Sequence, residues 1–78
     1  MTKNETGSFY SWMIYNFLEK NNRFGDLARD MNEDYSFPHD NDFDAIIDYL
    51  VFDCGAAEAC VDVFRECWKK YQEALVYA

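Results

Sequence analysis

The segment Asp40-Asn41-Asp42-Phe43-Asp44 places oxygen-bearing side chains at alternate positions, as calcium-binding loops do. An EF-hand loop also needs glycine at its sixth position and glutamate at its twelfth, where this chain has Ala45 and Val51. The pattern therefore favours solvated carboxylates that cap a helix, and a weak divalent-ion site is the alternative.

Three cysteines and one histidine are the other side chains with a chemistry of their own: Cys54, Cys60, Cys67 and His39. The cysteines lack the close spacing of a structural zinc site, so the sequence predicts no metal and no cofactor. Cys60 and Cys67 fall on an apolar helical stripe, where burial makes a thiol inert and raises its pKa. Cys54 precedes Gly55 in a predicted turn and is expected to be exposed. Pairing of a thiol with His39 as a base stays open.

Carboxylates are abundant, but acid–base catalysis needs two of them in one cleft with different environments. Seventy-eight residues in short helices leave little enclosed volume for such a cleft. The sequence therefore predicts a protein that is not an enzyme.

The charge of the chain is uneven. Asp and Glu total 15 against 7 Lys and Arg, and the net charge is -8, which argues against direct binding to nucleic acid. Between residues 26 and 62, Arg29 is the one basic residue among eleven acidic ones. Those eleven are Asp26, Asp30, Glu33, Asp34, Asp40, Asp42, Asp44, Asp48, Asp53, Glu58 and Asp62. Such a surface either keeps the chain in solution or attracts a basic partner.

Apolar periodicity predicts four helices that position these groups. The first runs from about Phe9 to Lys20 behind Ser8 as N-cap, and the second from about Arg23 to Asp34. The third follows the capping residues 40–42 and ends at Gly55, which is suited to a left-handed C-cap. The fourth and longest begins near residue 56.

The same periodicity predicts the core. The third helix buries one face, made of Phe43, Ile46, Ile47, Leu50 and Val51. The fourth buries a stripe made of Cys60, Phe64, Cys67, Trp68, Tyr71 and Leu75. The connector before the third helix is expected to be anchored through Tyr35 and Phe37. Most of the remaining aromatic rings are expected to be core too, namely Phe9, Trp12, Phe17 and Phe24.

Length and composition predict a single domain. Half of the residues are hydrophobic and 19% are aromatic, so residues 8–78 have the material for one helical core. Residues 1–7 are polar after Met1 and are expected to be a frayed tail. No stretch is apolar enough to cross a bilayer, and an odd number of cysteines without a close pair suits the cytoplasm better than export.

A series of residues resembles a known family: Ser8-Phe9-Tyr10, Trp12, Gly25-Asp26-Leu27-Ala28, Asp30, Asp34, Phe37-Pro38, Ile47, Tyr49-Leu50, Phe64, Trp68 and Tyr71. In this order they resemble the small bacterial YozE-like proteins. The resemblance implies an all-α, compact four-helix domain similar to the sterile alpha motif (SAM). It implies no catalytic or ligand residues, because a fold does not set a function.

These features predict a small acidic, non-enzymatic protein-binding domain of the bacterial cytoplasm. The partner is expected to be another protein with a basic surface, and the contact is assigned to Asp40, Asp42, Asp44 and Asp48. The alternative is an acidic nucleic-acid mimic, encoded by a phage or mobile element, that inhibits a DNA-processing or defence protein. A DNA-binding module would depend on Arg65, Lys69 and Lys70, and it conflicts with the net charge. The oligomeric state is left open.

Overall fold

The computed structural model of the protein describes residues 8–77. It contains the four helices that the sequence predicts: α1 (Phe9–Phe17), α2 (Arg23–Glu33), α3 (Phe43–Asp48) and α4 (Glu58–Tyr77). A π-helical turn, Tyr49–Asp53, continues α3. Within this part of the chain there is no strand, and no helix is long and apolar enough to cross a membrane. The predicted frayed tail and the last residue of the predicted domain lie outside the described residues.

The helix starts follow the predicted capping chemistry. The Ser8 hydroxyl accepts the Ser11 N–H at 3.1 Å and begins α1. Asn22 does the same for α2, where its side-chain oxygen accepts the Gly25 N–H at 2.9 Å. Asp42 is the N-cap of α3. Each cap satisfies backbone donors that the first turn of a helix leaves without a partner.

The first helix ends at Phe17 and not at Lys20 as predicted, because an arginine from α2 binds the carbonyls at its end. The Arg29 guanidinium donates to the carbonyl of Leu18 at 2.9 Å and to that of Lys20 at 3.0 Å. Carbonyls at the end of a helix need such donors. Residues 18–21 therefore form a turn that leads directly into α2.

Close packing of α2 on this turn requires a glycine. A Cβ atom on Gly25 would lie 1.9 Å from the Lys20 carbonyl oxygen and 3.0 Å from that of Phe17. Since these are backbone atoms, they cannot move aside as a side chain would. Gly25 thus sets the distance between α2 and the end of α1.

The third predicted helix changes from α-helical to π-helical winding after Asp48, and its buried face therefore differs from the predicted one. A π-helical turn contains more residues per turn than an α-helix, so the register of the apolar face shifts after Asp48. Leu50 still packs into the core, but Val51 is 41% exposed, and its predicted burial was wrong. Gly55 then adopts a positive φ of 62° and ends the segment as predicted.

The centre of the core is aromatic. Phe9 is fully buried, and its ring centroid lies 5.1–6.1 Å from those of Trp12, Phe64, Trp68 and Tyr71. These contacts join α1 to α4. The other predicted aromatic core residues are half-buried and pack against this cluster; they are Phe17, Phe24 and Phe43. The predicted aromatic core is confirmed.

Two predicted core residues lie at the surface instead. Tyr35 is 98% exposed because it occupies the tip of a turn that the Phe37 N–H closes on the Asp34 carbonyl at 3.1 Å. Phe37 alone anchors the connector, as a buried side chain. Leu75 is half exposed because it lies near the end of a helix that is longer than its neighbour. The 20 residues of α4 extend about 30 Å, whereas α1, which packs on it, is about 14 Å long.

Candidate functional site

The four carboxylates predicted to contact a partner are all exposed: Asp40, Asp42, Asp44 and Asp48. The Asp42 carboxylate is engaged locally, since it accepts the N–H groups of Asp44 and Ala45 at 3.1 and 3.3 Å. The ion pairs among the described residues are Arg23–Glu66, Arg29–Asp26 and Arg65–Asp62, and none involves these four. Asp40, Asp44 and Asp48 therefore present their charge to solvent, and their predicted role in binding stays a prediction.

Asn41, in the middle of the calcium-like segment, joins three parts of the fold. Its side-chain oxygen accepts the Phe9 N–H at 2.6 Å, and its side-chain nitrogen donates to the Tyr71 hydroxyl at 2.8 Å. The residue thus fastens the connector to the start of α1 and to α4. Within residues 8–77 no three His, Cys, Asp or Glu side chains lie close enough to hold a metal ion.

Arg29, the single cation of the acidic stretch, is already engaged within the fold. Besides the two carbonyls at the end of α1, it contacts the Asp26 carboxylate at 2.6 Å. Its charge therefore offsets that of Asp26 and does little for the carboxylates of the connector and α3. The acidic excess of residues 26–62 is left on the surface.

A groove that the sequence did not predict lies between α2, the π-helical turn and the start of α4. Its cavity measures about 330 Å³. We call it the α2–α4 groove, and six residues mark it: Leu27, Asp30, Asp34, Cys54, Ala57 and Cys60. A second cavity of about 260 Å³ shares three of these residues, so the depression continues along the contact between the two helices.

One end of the α2–α4 groove is closed by a polar contact. The Tyr49 hydroxyl donates a hydrogen bond of 2.5 Å to the Asp34 carboxylate, and the Cys54 thiol lies 4.0 Å from the same oxygen. The hydrogen bond to Asp34 raises the pKa of Tyr49 far above its ordinary value, and desolvation adds to this. This link fixes the π-helical turn to the end of α2.

The three thiols differ in exposure, as predicted: Cys54 is exposed, Cys60 half-buried and Cys67 buried. Burial raises the pKa of Cys60, and the nearby charge of Asp30 adds to the effect. Burial likewise raises the pKa of Cys67 to about 12. Both shifts are opposite to the lowered pKa that a thiol nucleophile needs.

His39, the base that was left open for a thiol, lies against an aromatic ring. Its own ring stacks on that of Tyr10, with centroids 3.8 Å apart. Within residues 8–77, no hydrogen bond joins His39 to a cysteine. The arrangement favours a packing role for this histidine in the connector.

In the sequence analysis Asp30 and Asp34 contribute to the total charge and to the family resemblance, and neither is assigned to a site. A signal for the groove was present, since these residues stand four apart in the predicted second helix and would share one face of it. The short side chains of Ala56, Ala57 and Ala59 follow Gly55 and leave space opposite that face. Neither feature by itself shows that α2 meets the segment that follows Gly55.

Comparison with known proteins identifies the family. The family model described as YozE SAM-like fold matches residues 8–73. The chain belongs to the YozE SAM-like family. The predicted membership and the predicted SAM-like, all-α fold are thereby confirmed. No curated protein and no solved structure matches this YozE SAM-like chain.

Several residues that carry the family resemblance are structural in this YozE SAM-like protein. Gly25 permits the approach of α2, Phe37 anchors the connector, and Tyr71 contacts both the aromatic cluster and Asn41. Membership therefore accounts for the fold. The exposed carboxylates and the groove must be argued on their own chemistry.

Proposed function

We propose that this YozE SAM-like protein is a small non-enzymatic domain of the bacterial cytoplasm that binds another protein through a basic surface of that partner. The observation that carries the proposal is the uncompensated charge of Asp40, Asp44 and Asp48. These carboxylates are exposed and take no part in the ion pairs of the described residues.

Charge of one sign on a surface raises the association rate of an oppositely charged partner and rejects partners of the same sign. An exposed carboxylate also loses little hydration when it meets a cation at the rim of an interface, so the contact costs little. The acidic stretch therefore supports selection of a basic partner more than high affinity.

The groups in the α2–α4 groove support a binding role over a catalytic one. Asp34 is engaged by Tyr49, and the pKa of Cys60 is raised. Acid–base catalysis needs two titratable groups with opposed environments, and thiol catalysis needs a lowered pKa. The groove shows neither arrangement among these residues.

The proposal is tested by affinity capture from a bacterial lysate with two double variants of equal charge. Asp44→Asn with Asp48→Asn removes two carboxylates of α3. Glu19→Gln with Glu73→Gln removes two exposed acids outside residues 26–62 and serves as the control. The α3 variant should lose the captured protein while the control retains it, and circular dichroism should show both folded. Equal retention by both variants would contradict the proposal.

The salt dependence of the captured complex gives a second readout. Raising salt from about 0.1 M to about 1 M shortens the screening length from about 10 Å to about 3 Å, so association through these carboxylates should slow. A rate that does not change with salt argues for an apolar contact alone. The nucleic-acid mimic remains the alternative, and it requires DNA and this protein to compete for the captured protein. A ternary complex with DNA contradicts the mimic.

A further inference from the structure

The α2–α4 groove has an apolar floor that belongs to the core. Leu27, Met31 and Leu50 form it, and they are buried side chains whose positions are fixed by their packing. Ala57, exposed at the start of α4, has no side chain long enough to fill the space above them. The groove is thus formed before any ligand arrives, which lowers the entropic cost of binding.

The size and shape of the groove limit its occupant. The volume of its cavity, about 330 Å³, lies at the lower end of the range for small-molecule sites, which is roughly 300–1,000 Å³. The depression also continues into the neighbouring cavity beside Cys60. A short extended segment of a protein, with one apolar side chain inserted, matches this elongated form.

The rim of the groove is negative. Asp30 is exposed, is absent from the ion pairs among the described residues, and lies close enough to Cys60 to raise the pKa of that thiol. Asp34, the C-cap residue of α2, follows four residues after Asp30. An apolar side chain on the floor would place the next residues of its segment beside these carboxylates.

We infer that the α2–α4 groove binds a segment of the partner in which an apolar residue is followed by lysine or arginine. The inference rests on the proposed function, whose basic partner supplies the cation. A second copy of this chain is disfavoured by its net charge of -8. Three of its seven basic residues are also already in ion pairs, namely Arg23, Arg29 and Arg65.

The test is a titration of the ¹⁵N-labelled full chain with three synthetic peptides, followed by amide chemical shifts. The first is acetyl-Ser-Leu-Lys-Lys-Ser-amide; in the second glycine replaces leucine, and in the third glutamate replaces both lysines. The first peptide should shift the amides of Leu27, Cys54 and Ala57 saturably. The glycine peptide should bind about tenfold more weakly, and the acidic peptide should not bind.

Two variants with a matched control locate the contact. Asp30→Asn should weaken binding of the leucine–lysine peptide about two- to fivefold, as expected for an exposed ion pair. Ala57→Leu, at an exposed position, should fill the groove and weaken binding further. Glu73→Gln, which removes an equal charge from an exposed position of α4 outside residues 26–62, should leave the affinity unchanged.

The possible results separate this inference from the proposed function. Shifts confined to residues 40–48, or equal affinities for Asp30→Asn and Glu73→Gln, would overturn the groove and leave the acidic surface as the contact. Saturable groove shifts, together with full capture by the Asp44→Asn, Asp48→Asn variant, would support the groove and overturn the α3 contact. If the groove amides move with protein concentration and no peptide, the occupant is a second copy and the inference is wrong.

Discussion

The aromatic contact between α1 and α4 and the α2–α4 groove lie on the same core but are built from side chains of opposite size. At the first, the Phe9 ring is enclosed by four other rings and reaches no solvent. At the second, alanines and a half-buried thiol face α2, and the core comes close to the surface. Large rings thus close the contact between α1 and α4, while small side chains leave the α2–α4 groove accessible.

The two regions also differ in how polar groups are used. Near the aromatic contact, the side chain of Asn41 accepts the Phe9 N–H and donates to the Tyr71 hydroxyl. At the groove, Asp30 points its charge to solvent, and only Asp34 is tied to the fold, by Tyr49. Burial of large side chains is therefore concentrated at the contact between α1 and α4, while the groove keeps an exposed carboxylate.

The largest expected effect is at the centre of the aromatic contact. Phe9→Ala should lower the free energy of unfolding by about 3–5 kcal/mol, because it removes a fully buried ring and leaves a cavity. Urea unfolding followed by circular dichroism measures the loss. Tyr15→Ala, on the same helix but 86% exposed, is the control and should change stability by less than about 0.5 kcal/mol. Equal effects would contradict the central role of the buried Phe9 ring in the aromatic contact.

A smaller loss is expected where α2 meets the end of α1. Gly25→Ala should cost about 1–3 kcal/mol, since its Cβ would overlap the Lys20 carbonyl and push α2 away. Because α2 forms one wall of the groove, the amide shifts of Leu27 and Asp30 should move as well. Gly55→Ala is the control. The added Cβ atom would meet open space, so the substitution should cost only the strain of a left-handed φ, about 1 kcal/mol. A stable Gly25→Ala protein with unmoved groove amides would contradict this packing.

Substitution of Asn41 tests whether residues 40–44 stabilise the fold or bind a metal ion. Asn41→Ala should cost about 1–2 kcal/mol because it breaks two described hydrogen bonds. Asp40→Ala, at the exposed neighbour, should change stability by less than about 0.5 kcal/mol. Thermal unfolding measures both. A rise in melting temperature on adding calcium that either substitution abolishes would restore the metal site.

The smallest expected effect is a difference in the alkylation rates of the three cysteines. Iodoacetamide at about pH 8 should alkylate the exposed Cys54 first. The half-buried Cys60 should react more slowly, because the raised pKa of Cys60 lowers the fraction of its reactive thiolate. Buried Cys67 should react only as the protein unfolds. Mass spectrometry of peptides measures the order, with urea-unfolded protein as the control. Cys60 reacting before Cys54 in the folded protein would mean that the groove is wrongly described.

The helices were predictable because their signals are local. Ser8 caps α1 with its own hydroxyl, and Gly55 takes its positive φ where the chain must turn. Val51 was misplaced because an apolar repeat written for α-helix cannot show where the winding changes to a π-helical turn. Tyr35 was misplaced because its burial depends on which residues of the connector form the tip of a turn.

The candidate site was predictable only in part. Exposure of Asp44 and Asp48 follows from their place opposite the apolar face of α3. The groove depends on how α2 meets the segment after Gly55, and no local pattern fixes that distance. The role of Arg29 was hidden for the same reason, since the carbonyls that it binds belong to the end of another helix.

We expect the domain to bind its partner through the carboxylates of α3 and the α2–α4 groove, while the aromatic contact between α1 and α4 stabilises the fold. The most direct measurement maps the captured partner on the ¹⁵N-labelled full chain by amide chemical shifts. We expect shifts at Asp30, Asp44, Asp48 and Ala57 that fade in about 1 M salt, with those of Trp12 unchanged. Shifts centred on Trp12 and Trp68 that survive high salt would contradict it.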